Sequence, residues 1–310
     1  MMTLEKYLEQ VKDKIKGYLP EGLKDMEVTI VPLEKNNGVL FHGVSLHRLN
    51  DPAAPLLYAE DYYGLHEKGI DVESTLRFMA SEYVAARDEI KIRNNIDLSY
   101  DHIKDRLFLS VINAEKNHAL LENIPHQKLE DLAVTYRYLV YNDGGPFASM
   151  QIDNRFLKRW NIDQGQLHEQ AVQSMEKLFQ SDFCSLNQKI FGIIGIFPLE
   201  TPADRNLFVL SNQYGYYGAA YISCPNVLQE IGEKIGGDFL ILPSSLHELI
   251  VVKETEDINV ADLIDTVKAV NRTEVSEADF LSDNIYRYDS QNQILSMIDG
   301  SDMELGMKMQ

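Results

Sequence analysis

Two hydroxyls, an imidazole and a carboxylate stand together in the segment Pro243-Ser244-Ser245-Leu246-His247-Glu248. These groups can drive nucleophilic acyl transfer, in which the imidazole takes a proton from a serine hydroxyl and the carboxylate orients the ring. Ser244, Ser245, His247 and Glu248 are therefore the candidate catalytic residues. The segment falls where the chain must reverse between two apolar runs, residues 239–242 and 249–252, and loops on rigid scaffolds often carry function. The same residues also suit a plain turn, with serine hydroxyls bonding nearby backbone and His247 starting the next strand. Two common motifs are absent. Position 251 is valine where a zinc-protease helix would carry its second histidine, and Ser244 lacks the flanking glycines of a nucleophile elbow. Residues so close in sequence rarely converge in one line, so the catalytic reading requires the His247 ring within about 3.2 Å of a hydroxyl.

Tyr214-Gly215-Tyr216-Tyr217-Gly218 gathers rings and glycines. That composition lets a ligand approach the backbone and stack on a ring, or makes a turn into a strand at Ala219. His42 and His47 share an expected strand, but their odd separation points them to opposite faces. His66, His102, His118, His126 and His168 lack carboxylates or histidines at ligand spacing. Gly192 and Gly195 match neither a dinucleotide fingerprint nor a phosphate loop. No metal and no cofactor are expected.

The elements that must position these groups follow from periodicity. Leu4, Leu8, Val11 and Ile15 recur at helical spacing until Pro20 and Gly22. Strands are expected over residues 28–33 and 39–49, joined at Asn36-Asn37-Gly38, where Asn-Gly favours the positive φ of a hairpin. A third strand is expected over residues 55–63, then a helix capped by Asp71 with Leu76, Met79, Tyr83 and Val84 inward. Strands are also expected at residues 106–114, 119–124, 129–141 and 148–152. A short helix should begin near Asp153 and a longer one, capped by Asp163, should bury Leu167, Ala171, Met175 and Leu178. Residues 190–198 read as a buried strand or turn. Farther on come strands at 207–210 and 219–223, a helix from Pro225 to Ile235 stopped by Gly236-Gly237, strands at 239–242 and 249–252, and a helix at 260–270. The fold class is α+β, with mixed or antiparallel sheets and flanking helices built from strand-strand-helix units. The expected divisions are residues 1–100, an α-β-β-β-α unit, residues 101–290, a second α+β unit, and an irregular acidic tail at 291–310.

Composition bounds the setting. The chain has 310 residues, 45% apolar and 25% charged, enough to bury a sizeable core without staples. Cys184 and Cys224 lie 40 positions apart, not at zinc or redox-pair spacing. A reduced, cytoplasmic compartment is expected. Charges interrupt the opening residues where a signal peptide needs an apolar core, and no apolar run approaches the ~18 residues of a membrane span, so no membrane association is expected. The formal charge of −19 arises from 48 acidic and 29 basic side chains, which disfavours nucleic acid as a partner. Residues 254–310 alone hold 13 acidic and 4 basic side chains, so a solvated face or docking surface is expected at that end.

The run Leu242-Pro243-Ser244-Ser245-Leu246-His247-Glu248 within residues 239–252 resembles an uncharacterised domain-of-unknown-function family of anaerobic gut Firmicutes. So do Val270-Asn271-Arg272-Thr273-Glu274-Val275 and Leu281-Ser282-Asp283-Asn284-Ile285-Tyr286-Arg287-Tyr288-Asp289. The resemblance spans most of the chain. A more distant likeness is to another uncharacterised family, related to a cytoplasmic Bacillus protein. It is carried by residues 131–138, 156–175, 219–223 and the Pro243-Ser244 turn. Ser245-Leu246 stands here where that family has an Arg-Asp pair, so an activity tied to the pair does not transfer. Neither likeness implies a catalytic residue.

The leading expectation is a cytoplasmic binding or protein-interaction module with a protein partner. The alternatives are a hydrolase-like enzyme using Ser244 or Ser245 with His247 and Glu248, and an acidic DNA mimic or mobile-element accessory protein.

Overall fold

Thr3 opens the first helix, α1 (Leu4–Lys14), by accepting the Lys6 N–H at 3.4 Å, and the apolar stripe of Tyr7, Val11 and the following Ile15 is buried. The structure, a computed structural model, describes residues 2–48, 54–92, 97–141, 148–194, 206–243 and 245–298. Contacts divide the chain into two compact units, Met1–Asp97 and Leu98–Gln310.

In the first unit β1 (Glu27–Glu34) pairs antiparallel with β2 (Leu40–His47), in register from Glu27↔His47 to Glu34↔Leu40. The reversal uses positive φ at Asn37 (61°) and Gly38 (72°), the conformations that Asn-Gly tolerates best. β3 (Leu57–Tyr58) adds only two residues before the chain enters α2 (Ala59–Glu67). Residues 59–63 are thus helical where a strand was expected. The physical reason is the three-residue spacing of buried Ala59 and Tyr62, with Glu60 and Asp61 favourably placed in the first turn. Asp71 accepts from the Ser74 N–H at 3.0 Å and starts α3 (Val72–Ile92), whose Leu76, Met79 and Tyr83 complete this unit's core.

The second unit begins with α4 (Tyr100–Ile103) and β4 (Leu107–Asn113), followed by α5 (His118–Leu121). Residues 119–121, in the stretch 119–124 expected as a strand, therefore belong to one helical turn, and residues 122–124 form a turn, consistent with the helix-favouring Ala119, Leu120 and Leu121. β5 (His126–Leu129), β6 (Leu132–Tyr141) and β7 (Ala148–Gln151) complete an antiparallel sheet with β6 at its centre. β4 lies along one side of β6, while β5 and β7 pair with successive stretches of the other. Residues 142–147 lie outside those described. Asp153 caps α6 (Asn154–Trp160), and Asp163 with Gln166 forms a capping box at α7 (Gln164–Leu178).

A larger antiparallel sheet follows, in the order β13-β12-β10-β11-β9-β8. Its members are β8 (Ser181–Ser185), β9 (Leu207–Asn212), β10 (Phe239–Leu242), β11 (Leu249–Lys253), β12 (Ile285–Asp289) and β13 (Ile294–Ile298). The strands alternate between two cores. Phe239, Ile241, Leu249, Val251, Tyr286 and Tyr288 join the core shared with β4, β6 and α7. Leu240, Leu242, Val252 and Ile285 pack instead with Ile264 and Val267 of α10 (Val260–Thr273). Burial on both faces explains why β10 and β11 read as continuous apolar runs.

Three further stretches depart from expectation. Residues 190–194 belong to α8 (Leu186–Ile194), and residues 195–198 lie outside those described. Gly218–Ser223 is a 3-10 helix, not a strand, because its first two N–H groups are taken by another loop. The stretch that was expected to be irregular contains β13, whose apolar residues pair with β12 from Asp289↔Ile294 to Ile285↔Ile298. Between β9 and β10, α9 (Pro225–Ile235) has proline in its first turn and ends at Gly236 with φ 78°.

Candidate functional site

Pro243 to Glu248 connects β10 and β11 as a reversal clamped from two sides. On one side the N–H groups of Gly218 and Ala219 donate to the carbonyls of His247 (3.1 Å) and Leu246 (3.2 Å). The Ser211 hydroxyl also donates to the His247 carbonyl, at 2.7 Å. On the other side the Leu246 N–H donates to the Asp279 carbonyl at 2.9 Å, and Ser245 forms a bridge with Phe280. The turn and the Tyr214–Gly218 segment, separate in sequence, are thus one structure.

The His247 ring is held at both nitrogens. Nδ1 accepts the Tyr217 N–H at 3.4 Å, and Nε2 lies 3.3 Å from Asp279 Oδ1. These partners assign the tautomer with its proton on Nε2. The His247 hydrogen bond holds the Asp279 carboxyl below the usual carboxylate range, helped by the Ser276 hydroxyl at 2.7 Å and opposed by partial burial. The His247 and Asp279 side chains are 34% and 37% exposed, so this pair faces solvent on one side. Tyr216 and Tyr217 approach the imidazole with centroids at 5.7 and 6.0 Å, and the Arg137 guanidinium sits 4.8 Å over the Tyr217 ring. Tyr214 and Tyr216 are 40% and 45% exposed.

This placement separates the four sequence candidates. The Ser245 hydroxyl accepts the His247 backbone N–H at 3.2 Å and makes no hydrogen bond to the imidazole. Glu248 contributes instead to the electrostatic surroundings of Cys184 and Lys189, on β8 and α8, as expected when successive residues of an extended chain face opposite ways. Ser244 lies outside the described residues. A general base needs a lone pair directed at the reacting proton, and the Nδ1 lone pair is directed at the Tyr217 N–H. Asp279, Tyr217 and Ser211 are the partners that sequence reasoning missed; only the glycine-tyrosine cluster signalled any of them.

Among the remaining histidines, His42 has partners the sequence did not signal. Its Nδ1 lies 2.7 Å from Glu60 Oε1, and both Glu60 oxygens accept the His42 N–H at 3.0 Å. His118, expected to lack a carboxylate at ligand spacing, lies 3.9 Å from Glu122, one helical turn on. Among the described residues no group of three or more His, Cys, Asp or Glu side chains is placed to hold a metal ion. A cavity of about 300 Å³ is lined by apolar residues such as Leu121, Leu132 and Ala133 and by His118, His126 and Lys128. It shares no residue with the His247 turn.

The segment Leu281 to Asp289 ties this unit together. Ser282 Oγ and Asn284 Nδ2 donate to Asp131 Oδ2 at 2.5 and 3.0 Å, and the Tyr286 hydroxyl donates to Asp131 Oδ1. Burial and the Asp131 charge push the Tyr286 hydroxyl well above the usual tyrosine range. Asn113 donates to the Leu281 carbonyl at 2.7 Å, and Arg287 bridges Asp238 (2.5 Å) and Glu254 (2.7 Å).

The class is therefore an α+β protein of antiparallel sheets and flanking helices, with a polar, tyrosine-rimmed turn on its larger unit. Residues 4–290 match the sequence family described as "Family of unknown function (DUF5688)", and the chain belongs to that family. No curated protein and no solved structure matches it. Among the described residues no helix is long and apolar enough to cross a membrane.

Proposed function

We propose that the protein is a binding module whose partner-contacting surface is the tyrosine-rich face around His247. The observation that carries this reading is the double engagement of the His247 ring, by Tyr217 and Asp279, with the exposed Tyr216 ring against the imidazole. Rings presented on a rigid support supply contact area at low entropic cost, which is why tyrosine is enriched in binding surfaces. The formal charge of −19 favours a protein partner with a basic surface. Two unpaired cysteines support a cytoplasmic, reducing setting. The test is affinity capture from the source cell with tagged wild type and Tyr216→Ala. The expected result is a stoichiometric partner that is retained by wild type, lost by the variant and released by salt. Recovery of no partner, together with turnover in a broad substrate screen, would sink the reading.

One observation favours a second reading, a serine hydrolase. The His247–Asp279 pair, at 3.3 Å, has the imidazole and carboxylate that a catalytic triad would need. Its nucleophile would be Ser244, activated after Nδ1 gives up the Tyr217 N–H. Labelling by a fluorophosphonate probe that is abolished by Ser244→Ala, with Ser245→Ala still labelled, is the expected signature. Absence of labelling removes it.

A further inference from the structure

β13 ends the six-stranded sheet. It pairs with β12 on one side, and among the described residues no strand lies on the other. Exposed sheet edges are normally blunted by lysine, proline or a bulge, because their free N–H and C=O groups recruit further strands. Ile294-Leu295-Ser296-Met297-Ile298 carries neither charge nor proline, and Ile294 is 57% exposed.

The strand reads almost the same in both directions about Ser296. In an antiparallel pairing with a second copy about a two-fold axis through Ser296, Ile294 faces Ile298, Leu295 faces Met297, and Ser296 faces itself. Opposed residues must lie on the same face, so registers shift in steps of two residues. The register centred on Ser296 is the one that pairs all five residues. Both core layers then continue across the junction, since Leu295 and Met297 pack on the larger core while Ile298 packs on the α10 side. A two-fold axis of this kind gives the closed, isologous contact typical of homodimers.

We propose that β13 is a homodimer interface, in which a second copy of this chain adds its own β13 to form one sheet continuous through both copies. The seam itself is uncharged, but each copy carries a formal −19, and the resulting long-range repulsion is screened by salt. Dimer formation therefore strengthens as ionic strength rises, opposite to a dimer held by ion pairs. A five-residue edge is small, so association is weak and reversible.

The test is sedimentation equilibrium of the full chain over a range of concentration and salt. The expected result is a reversible monomer–dimer equilibrium that shifts toward dimer at higher salt. Ser296→Lys, which sets two ammonium groups opposite each other, should weaken association several-fold even though it lowers the net negative charge. Ser296→Cys places thiols on directly opposed residues, whose Cα atoms are about 4.5–5.5 Å apart in such a pair, within disulfide reach. Mild oxidation with copper phenanthroline should then trap a dimer that dithiothreitol releases. Wild type and Ile294→Cys, whose thiol faces Ile298, should not be trapped. Circular dichroism verifies that each variant is folded. A monomer at every concentration and salt overturns the proposal. So does a dimer that Ser296→Lys leaves intact and Ser296→Cys does not cross-link.

Discussion

A Cβ on residue 218 would lie 2.5 Å from the carbonyl oxygen of His247 and equally close to the Ser211 hydroxyl oxygen. Gly218 is thus the residue that lets the tyrosine loop close onto the histidine turn, through the 3.1 Å bond from its own N–H. The neighbouring carbonyl cannot yield without breaking the hairpin connection. Gly218→Ala is expected to destabilise the protein by about 1–3 kcal/mol, the usual cost of forced overpacking. Urea unfolding measures it. Gly215→Ala, with open space around its Cβ but a φ of 69°, should cost less, about 1–2 kcal/mol.

The Asp279 carboxyl is held below its ordinary range by His247. A carboxyl whose folded pKa is depressed contributes stability above its unfolded pKa, and that contribution is lost as pH falls through the folded value. Wild type should therefore melt above Asp279→Asn in mildly acidic buffer, and the gap should close below the ordinary carboxylate range. Thermal melts of the two proteins across that acid limb provide the measurement. A gap that persists at the acid end would remove the electrostatic account of this pair.

Burial pushes the Cys224 thiol up to about 12, and burial with the Asp182 charge raises Cys184 as well. Because the thiolate is the reactive form, native protein should react slowly with a disulfide reagent at mildly alkaline pH. Cys224 should be released only on unfolding, and Cys184, partly exposed on β8, should react first. Counting titrated thiols before and after denaturant tests this, with peptide mapping to assign them.

Asp131 accepts from Ser282, Asn284 and Tyr286. Asp131→Ala strands those donors, and the loss of charged hydrogen bonds is expected to cost about 1.5–3 kcal/mol or more. Tyr286→Phe removes one of the three bonds and should cost about half as much. Equilibrium denaturation ranks them. Equal effects would mean that the Tyr286 hydroxyl alone, not the three-donor network, sets the stability here.

Some of this architecture was legible because the signal is local. Pro225 and Gly236 mark both ends of α9, since one fits a helical first turn and the other adopts φ 78°. Asp163 with Gln166 announces its capping box, and Asn37-Gly38 its reversal. The apolar runs of β10 and β11 show that both faces are buried, and the reversal between them follows.

The 3-10 helix at Gly218–Ser223 was not legible in this way. Tyr221 and Ile222 carry strand-like propensity, but the N–H groups of Gly218 and Ala219 are claimed by carbonyls of the His247 turn, and a competing long-range bond outweighs propensity. Asp279 is likewise 32 positions from His247, and no spacing rule connects them.

The sequence by itself therefore determined that residues 243–248 make a polar turn between two buried strands, because turn chemistry and apolar runs are properties of neighbouring residues. Only the tertiary structure decided what that turn faces. It gave the His247 ring to Tyr217 and Asp279 and directed the influence of Glu248 toward Cys184 and Lys189. Those partners are brought together by packing across the sheet, through contacts that a local pattern does not encode.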